Sequence, residues 1–293
     1  AKRLYVDHLV KSVNTDLTGL TIVVDCANGA AFELAPLTLR EAGAEVIVIN
    51  AEPDGRNINH NAGSTHPECL QKAVVEHKAD LGVAYDGDAD RCLAVDAEGN
   101  LIDGDKIMGA LAVDARERGK LKGDTLVVTV MSNLGLILAM RDKGIKTVQT
   151  AVGDRYVLEE MRASNYVLGG EQSGHIIDLD HATTGDGILS SLLVARMVKE
   201  SGRSLADLTA FVERLPQTLI NVGGVDRSGA ATNEAVAAAV KAGEAQLGDT
   251  GRVLLRPSGT EPLVRVMVEA ATQEQADSVA ASLADVVKEN LAI

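Results

Sequence analysis

The chain has 293 residues, enough for two or three domains, and 46% of them are hydrophobic, so it can build proper cores. Its formal net charge of −14 argues against nucleic acid and against an anionic membrane as partners. Its 3 cysteines, without a C-x-x-C pair, indicate reduced thiols rather than disulfides or zinc. Without a signal peptide or a span of about 20 apolar residues, the chain is expected to be cytoplasmic and free of membrane.

Strand and helix signals alternate through most of the sequence. In the first 99 residues they predict strands at Thr21–Asp25, Glu45–Ile49, Leu81–Tyr85 and 93–96, with helices over 30–42 and 67–77. From residue 100 onwards they predict helices over 106–118, 134–143, 155–163 and 187–200, with strands over 125–130 and 147–152. Such alternation indicates mostly parallel sheets with ligand loops at one edge.

The last part of the chain has a different order of elements. After Pro216, a helix over 234–245 and two adjacent strands over 252–255 and 263–270 precede a helix over 273–290. We therefore predict an α/β protein with two consecutive α/β domains of mostly parallel, mixed sheets, followed by a smaller α+β domain with an antiparallel sheet. The predicted domains are residues 1–99, 100–213 and 214–293.

The segment DGDADR at 86–91 places three carboxylates and a guanidinium directly after a predicted buried strand. Open α/β sheets bind ligands at the ends of their strands, so Asp86, Asp88 and Asp90 should emerge together at such a place. Carboxylates this close repel one another unless a hard cation offsets their charge, and oxygen ligands favour Mg²⁺ or Ca²⁺ over zinc. An EF-hand does not fit, because other residues occupy its Gly and Glu positions. The alternative is a polar turn between strands.

A second loop, RPSGTEP at 256–262, lies between the last two predicted strands. Ser258, Gly259 and Thr260 supply backbone N–H groups and two hydroxyls, which together can form an anion-binding nest. Arg256 and Arg265 flank the loop with charged, fork-shaped donors. A simple hairpin turn is the alternative, but two arginines in so acidic a chain favour an anion site.

A third loop, GEQSGH at 170–175, follows a short apolar run. We expect Glu171 and Ser173 on one side of an extended segment, where a carboxylate and a hydroxyl suit sugar hydroxyls or an amine; the alternative is a polar glycine turn. His175 could contact a substrate, although a single His after Gly is as readily a structural donor. Arg155 follows another predicted strand and could meet a phosphate at a helix N-terminus; the alternative is that Asp154 only caps that helix.

The three loops together, in this order, resemble the α-D-phosphohexomutase superfamily over the whole chain. The resemblance is carried by the family's metal loop (DGDADR), its sugar-binding loop (GEQSGH) and its phosphate-binding loop (RPSGTEP). Gln172, at the variable position of the sugar loop, and the segment VDCANGAA at 24–31 are similar to the branch that acts on glucosamine phosphates, rather than on mannose or glucose phosphates.

The resemblance implies reversible conversion of glucosamine 6-phosphate to glucosamine 1-phosphate through a phosphoserine and a bisphosphorylated sugar. Asp86, Asp88 and Asp90 would hold Mg²⁺, and Arg91 would add donors to the transferring phosphoryl group. Glucosamine or glucose 1,6-bisphosphate would activate the full-length enzyme. The implied substrate ligands are Glu171, Ser173, His175, Arg155, Arg256, Ser258, Gly259, Thr260 and Arg265.

In this family the phosphoserine lies in a further N-terminal domain, within the sequence Ser-His-Asn-Pro, which does not occur here. Ser64 is a poor substitute, because the sequence around it is typical of a helix start. We therefore expect a fragment without that domain, inactive by itself and either monomeric or weakly dimeric. The open alternatives are a phosphomannomutase or phosphoglucomutase, a phosphatase with a nucleophilic Asp in the metal loop, and a non-catalytic module that binds sugar phosphates.

Overall fold

The chain folds into two units. The structure, a computed structural model, describes residues 1–258 and 261–293. The first unit contains Ala1–Ser132 and Leu136–Val212, and the second contains Asn133–Gly135 and Glu213–Ile293. In the part of the chain that the structure describes, no helix has the length and hydrophobicity needed to cross a membrane.

The first unit contains helices and strands in regular alternation. The helices that begin before residue 213 are α1 (Lys2–Val13), α2 (Ala31–Glu41), α3 (Glu68–His77), α4 (Gly104–Glu117), α5 (Leu134–Asp142), α6 (Asp154–Ser164), α7 (Gly187–Ser201) and α8 (Leu205–Thr209). The strands are β1 (Thr21–Asp25), β2 (Glu45–Ile49), β3 (Leu81–Tyr85), β4 (Cys92–Asp96), β5 (Leu101–Ile102), β6 (Thr125–Thr129), β7 (Lys146–Thr150), β8 (Leu168–Gly170) and β9 (Ile176–Asp178).

These strands form two mixed sheets. The first has the order β2-β1-β3-β4-β5, in which β2, β1 and β3 run parallel and β4 and β5 are antiparallel additions. The second has the order β7-β6-β8-β9, parallel except for β9. Every residue of β3 and β6 is buried, as expected for central strands covered on both faces.

A shared hydrophobic core joins the two sheets of the first unit. Val24 of β1 and Tyr85 of β3 belong to the same buried cluster as Leu126 of β6 and Leu192 of α7. Helix α7 packs against β3 and β4 and also against α4, which in turn packs against β6 and β8. The ends of β3 and β8, where two of the predicted loops begin, are therefore fixed by one core.

The second unit is a smaller α+β fold. Its remaining elements are β10 (Gln217–Gly223), α9 (Glu234–Leu247), β11 (Arg252–Pro257), β12 (Leu263–Glu269) and α10 (Gln273–Leu291). The sheet has the order β10-β12-β11 and is antiparallel throughout. Alternate residues of β12 pack with α10 in its core, with Val264, Val266 and Val268 against the apolar face of the helix.

The predicted fold class is confirmed: two mixed, mainly parallel sheets precede an antiparallel one. Several short elements, β5, β8, β9 and α8, were not predicted, because two to five residues are too few to show a periodic pattern. β10 was also missed, since its residues alternate only weakly between buried and exposed. The division into three domains stays a prediction.

Candidate functional site

The metal loop, residues 86–91, begins where the buried strand β3 ends. Asp86, Asp88 and Asp90 each offer a carboxylate oxygen, and these oxygens all lie within 4.8 Å of one another. The guanidinium of Arg91 stands beside them, with Nε 3.6 Å from Asp86 Oδ2 and 3.8 Å from Asp90 Oδ1. Burial, and then the negative charges of Asp90 and Asp88, raise the pKa of Asp86.

The residues of this loop fit a hard divalent cation. Asp90 Oδ1 is buried and accepts no hydrogen bond from any residue that the structure describes. A buried carboxylate oxygen without a donor is unfavourable, and a bound cation would satisfy it. All the clustered ligands are carboxylates, the donor type that Mg²⁺ prefers. The structure therefore supports a metal site, while the roles predicted for single residues stay predictions.

The backbone of the metal loop is held from two sides. Ala30 N donates to Gly87 O over 2.8 Å, and Gly187 N at the start of α7 donates to Ala89 O over 2.9 Å. Gly187 must be glycine here, because a Cβ atom at this position would lie 2.5 Å from Arg91 O. Ala89 itself has a φ of 65°, a strained value for a residue with a side chain. These contacts fix the loop in one conformation.

The sugar loop, residues 170–175, lies beside the metal loop. Cys92 N donates to Gly174 O over 3.0 Å, and Arg91 and His175 form an antiparallel β-bridge. The expected extended segment is wrong, because Gly174 N donates to Glu171 O and closes a turn. Glu171 and Ser173 therefore do not alternate as they would in a strand.

His175 connects the two loops through its side chain, which is 5% exposed. Its Nδ1 lies 3.1 Å from Asp90 Oδ2. An ionised carboxylate only accepts hydrogen bonds, so Nδ1 carries the proton and donates to Asp90. The ring packs tightly against Gly185, where a Cβ atom would lie 2.2 Å from Nε2. This buried position favours orientation of Asp90 over the substrate contact that was predicted.

The other predicted residues around the sugar loop have different surroundings. Glu171 Oε1 accepts a hydrogen bond from Gly153 N over 3.1 Å, which ties the loop to the start of α6. Gln172 Nε2 donates to Asp103 Oδ2 over 3.3 Å. Ser173 is exposed. The guanidinium of Arg155 is also exposed and pairs with Glu159 one turn later on α6, at 2.7 Å.

In the second unit, the predicted phosphate loop connects β11 and β12. Arg256 and Arg265 stand directly opposite each other on these antiparallel strands, and both are half-buried. Residues opposite each other share a face of the sheet, so two like charges meet there. Ser258 is 5% exposed, and its N–H donates to Leu263 O over 2.9 Å. Gly259 and Thr260, which were predicted to bind phosphate, lie outside the described residues.

Two features near these loops were missed from the sequence. Arg227 Nη1 donates to Ser258 O over 2.6 Å, although it is distant in sequence and shows no motif. The other is the segment 183–187, in which Asp186 caps α7 by accepting from Leu189 N over 2.9 Å. Gly185, before Asp186, packs against His175, and Gly187, after it, contacts the metal loop. These two glycines were the signal in the sequence that could have indicated the contacts.

Solved structures with the same fold come from the phosphohexomutases. N-acetylphosphoglucosamine mutase of Aspergillus fumigatus, in complex with GlcNAc-6P and magnesium, has a TM-score of 0.80 and 24% sequence identity, covering 99% of this chain and 66% of that one. A serine-to-alanine variant of the same enzyme, in complex with glucose 1,6-bisphosphate, has a TM-score of 0.72 and 23% identity, covering 100% of this chain and 66% of that one. At such identities the likeness shows the fold alone.

Sequence comparison identifies the family. Phosphoglucomutase/phosphomannomutase family models match in order: alpha/beta/alpha domain II at residues 3–99, alpha/beta/alpha domain III at 103–215 and the C-terminal domain at 219–286. The phosphoglucosamine mutase of Bifidobacterium animalis subsp. lactis is 62% identical over 298 residues, covering 100% of this chain and 66% of that protein. That of Thermobifida fusca is 60% identical over 289 residues, covering 99% and 64%. The chain thus spans about two thirds of the length of these relatives, and it belongs to the phosphoglucomutase/phosphomannomutase family, the α-D-phosphohexomutases.

Proposed function

We propose that the complete protein is a phosphoglucosamine mutase that interconverts glucosamine 6-phosphate and glucosamine 1-phosphate in the cytoplasm. The observation that carries the proposal is the junction of the metal loop with the sugar loop through His175 and Asp90. This junction brings the metal loop and the sugar loop together, and we assign the cation to the first and the sugar to the second. The choice of glucosamine rests on the relatives with 60–62% identity, all phosphoglucosamine mutases.

The chemistry is a phosphoryl transfer between a serine and a sugar hydroxyl. The P–O bond to the phosphoserine breaks as a hydroxyl of the sugar phosphate attacks the phosphorus, and this gives a bisphosphorylated sugar. The sugar then presents its other phosphate, which returns to the serine. Asp86, Asp88 and Asp90 would hold Mg²⁺, which offsets negative charge on the transferring group. Arg91 supports the same group with guanidinium donors, since it lies beside two of these carboxylates.

The remaining loops would hold the substrate. Glu171 is fixed by Gly153 and next to an exposed Ser173, so the turn can offer a carboxylate and a hydroxyl to the sugar. In the second unit, Arg256 and Arg265 would bind the phosphate that is not reacting, because an anion offsets the repulsion between them. We assign Ser258, Gly259 and Thr260 to the same phosphate site.

The donor serine is not assigned to this chain. The Ser-His-Asn-Pro segment typical of the family is absent from the sequence. Without a donor, metal and anchoring groups cannot start the cycle, because positioning of donor and acceptor supplies most of the catalysis. We propose that the 293-residue chain alone does not turn over, and that glucose 1,6-bisphosphate activates only the protein at the full length of its relatives.

A coupled assay tests both parts of the proposal. The full-length protein and the 293-residue chain are supplied with glucosamine 6-phosphate, Mg²⁺ and glucose 1,6-bisphosphate. We expect glucosamine 1-phosphate from the full-length protein only. Turnover by the 293-residue chain would place the phosphorylated residue on it, and Ser64 would be the first to replace.

The same assay separates the alternatives. Faster conversion of mannose or glucose phosphates would make the protein a phosphomannomutase or a phosphoglucomutase. Release of inorganic phosphate would indicate a phosphatase that uses an Asp of the metal loop as nucleophile. Tight binding of sugar phosphate without any conversion by the full-length protein would leave a binding module.

A further inference from the structure

The first unit contains a cavity of about 510 Å³ that is separate from both loops. It lies where α1, α4 and α7 meet the beginning of β8 and the end of β9. The sugar loop connects the other ends of these two strands, so the cavity and the loop are at opposite ends of one hairpin. Along α7, the cavity residue Arg196 lies roughly 13 Å beyond Gly187, which contacts the metal loop. The volume is within the range of small-molecule sites, about 300–1,000 Å³.

One wall of the cavity is apolar. Leu111 and Ala115 of α4 face it, together with Leu193 of α7. Val167 and Leu168, at the beginning of β8, continue the same surface. Leu111, Leu193, Val167 and Leu168 are at most 4% exposed, so they form a stable surface against which the carbon part of a ligand could pack.

Unused hydrogen-bond donors lie beside this wall. Arg196 donates through Nη2 to Asp114 Oδ2 over 2.9 Å, but its Nε is buried and has no acceptor among the described residues. A buried donor without an acceptor is unfavourable, so Nε of Arg196 would gain from an acceptor supplied by a ligand beside it. Lys120 also lines the cavity, and no carboxylate among the described residues forms an ion pair with it.

The other charged groups of the cavity already have partners or repel anions. Arg118 is held by Asp114 and Glu200, and His181 lies 3.0 Å from Asp178 through Nδ1 and Oδ2. Asp180 is close to that pair and would repel an anion. The anionic group of a ligand therefore belongs near Lys120 and Arg196, away from Asp180.

We propose that this cavity binds a small organic anion, a carboxylate or a phosphate ester with a carbon body about the size of a ring, through Lys120 and Nε of Arg196. The apolar wall takes the carbon body, and Asp180 can accept hydrogen bonds from hydroxyl or amine groups at the other end. This site is independent of the proposed mutase activity.

Two probes without sugar hydroxyls test the proposal: phenyl phosphate and phenylacetate, with benzyl alcohol as the neutral comparison. Each is titrated into the ¹⁵N-labelled 293-residue chain, and amide shifts are followed by NMR. We expect at least one of the anions, but not the alcohol, to shift Ala115, Lys120 and Leu168. The replacement Lys120→Met should lower the affinity for that anion roughly tenfold, as expected for the loss of a hydrogen bond to a charged group.

Two further variants keep the result interpretable. Ala115→Leu fills the cavity without a change in charge and should abolish the shifts. Lys122→Met is the matched control, because Lys122 is close in sequence but its Nζ pairs with Asn165 at 3.3 Å, outside the cavity lining. Thermal unfolding confirms that each variant is folded. The proposal is overturned if neither anion shifts the cavity residues, if benzyl alcohol shifts them equally, or if Lys120→Met and Lys122→Met bind alike.

Discussion

The metal loop and the arginine pair of the phosphate loop both concentrate like charges, but they do so in different surroundings. In the metal loop, three carboxylates gather at the end of a parallel strand, and Asp86 is only 8% exposed. In the second unit, Arg256 and Arg265 meet across two antiparallel strands and are half-buried. Among the residues that the structure describes, neither group is paired with enough opposite charge to neutralise it fully.

This difference determines how strongly each site should depend on its ligand. Interactions between charges strengthen as water is excluded, so repulsion should be strongest at the buried Asp86, whereas Asp88 is exposed and Asp90, like the two arginines, is half-buried. The metal loop resists that repulsion because Ala30, Gly187 and His175 hold it. Repulsion between the two arginines is instead reduced by solvent and by dissolved salt. We therefore expect larger effects at the metal loop, where a divalent ion meets three carboxylates, and smaller, salt-sensitive ones at the arginine pair.

The largest effect is expected from Asp88→Asn in the metal loop. The change removes one ligand charge from a set of three. It should lower the affinity for Mg²⁺ by roughly 100-fold, because the attraction between a divalent ion and a carboxylate in contact with it is several kcal/mol even in water. Calorimetric titration of the 293-residue chain measures it. Glu98→Gln is the matched control, since it removes an exposed charge just after β4. Equal affinities for Asp88→Asn and the control would remove the metal assignment.

Arg256→Ala tests the other side of the comparison. It should weaken the binding of glucosamine 6-phosphate by about 1.5–3 kcal/mol, the range for hydrogen bonds to charged groups. This loss of binding free energy should shrink as the salt concentration rises. Without ligand, the same variant should unfold at an equal or higher temperature, because one of two like charges facing each other is gone. Lys241→Ala, on α9, is the control for charge. A loss that is independent of salt would contradict the partial solvent exposure of the two arginines.

The variant His175→Leu tests whether the buried His175 side chain positions Asp90 in the metal loop. Removal of the Nδ1 donor should lower Mg²⁺ affinity roughly tenfold, at the low end of the effect of groups that orient metal ligands, because Arg91 also contacts Asp90. His175→Asn retains an N–H donor and should recover part of the affinity. The exposed His77 serves as control in His77→Gln. If all three variants bind Mg²⁺ like the unchanged chain, His175 does not position Asp90.

Much of this comparison was accessible from the sequence. The strands Thr21–Asp25, Glu45–Ile49 and Leu81–Tyr85 have the predicted bounds, since apolar runs between turn residues are a strong signal. Because Asp86 follows such a run, the place of the metal loop at a strand end also followed. The arginine pair was expected near the phosphate, but its direct register across β11 and β12 was not, because register depends on strand pairing.

The burial of His175 could not be predicted, for a related reason. Nothing in the segment 170–175 shows that its last side chain turns inward towards Asp90. That orientation depends on Gly185, which is ten residues later and leaves room for the ring, and on the turn closed by Gly174 N and Glu171 O. Contacts between segments that are distant in sequence determine the outcome, and one sequence does not record them.

A pair of opposite charges completes the comparison, because it should stabilise the fold without any ligand. His181 Nδ1 lies 3.0 Å from Asp178 Oδ2, and the close Asp178 carboxylate raises the pKa of His181 above its usual value. A raised pKa means that the folded state binds the proton more tightly than the unfolded chain. The contribution is therefore fully present below the unfolded pKa of about 6.5 and is lost as the pH rises through the folded pKa.

Replacement Asp178→Asn should remove this contribution while it leaves both like-charge sites unchanged. We expect a loss of about 0.5–1 kcal/mol of unfolding free energy at a pH of about 5.5, and a smaller loss at about 8.5, because partly exposed ion pairs contribute little. Urea unfolding at both pH values measures this loss of unfolding free energy. Asp207→Asn on α8 is the control, because Asp207 forms no ion pair with a histidine among the described residues. The sign is the critical result, since a loss that grows with pH would mean that His181 is neutral in the fold. The pair of His181 and Asp178 would then not stabilise the fold by itself. The contrast between charged sites that need a ligand and a charged site that does not would fail.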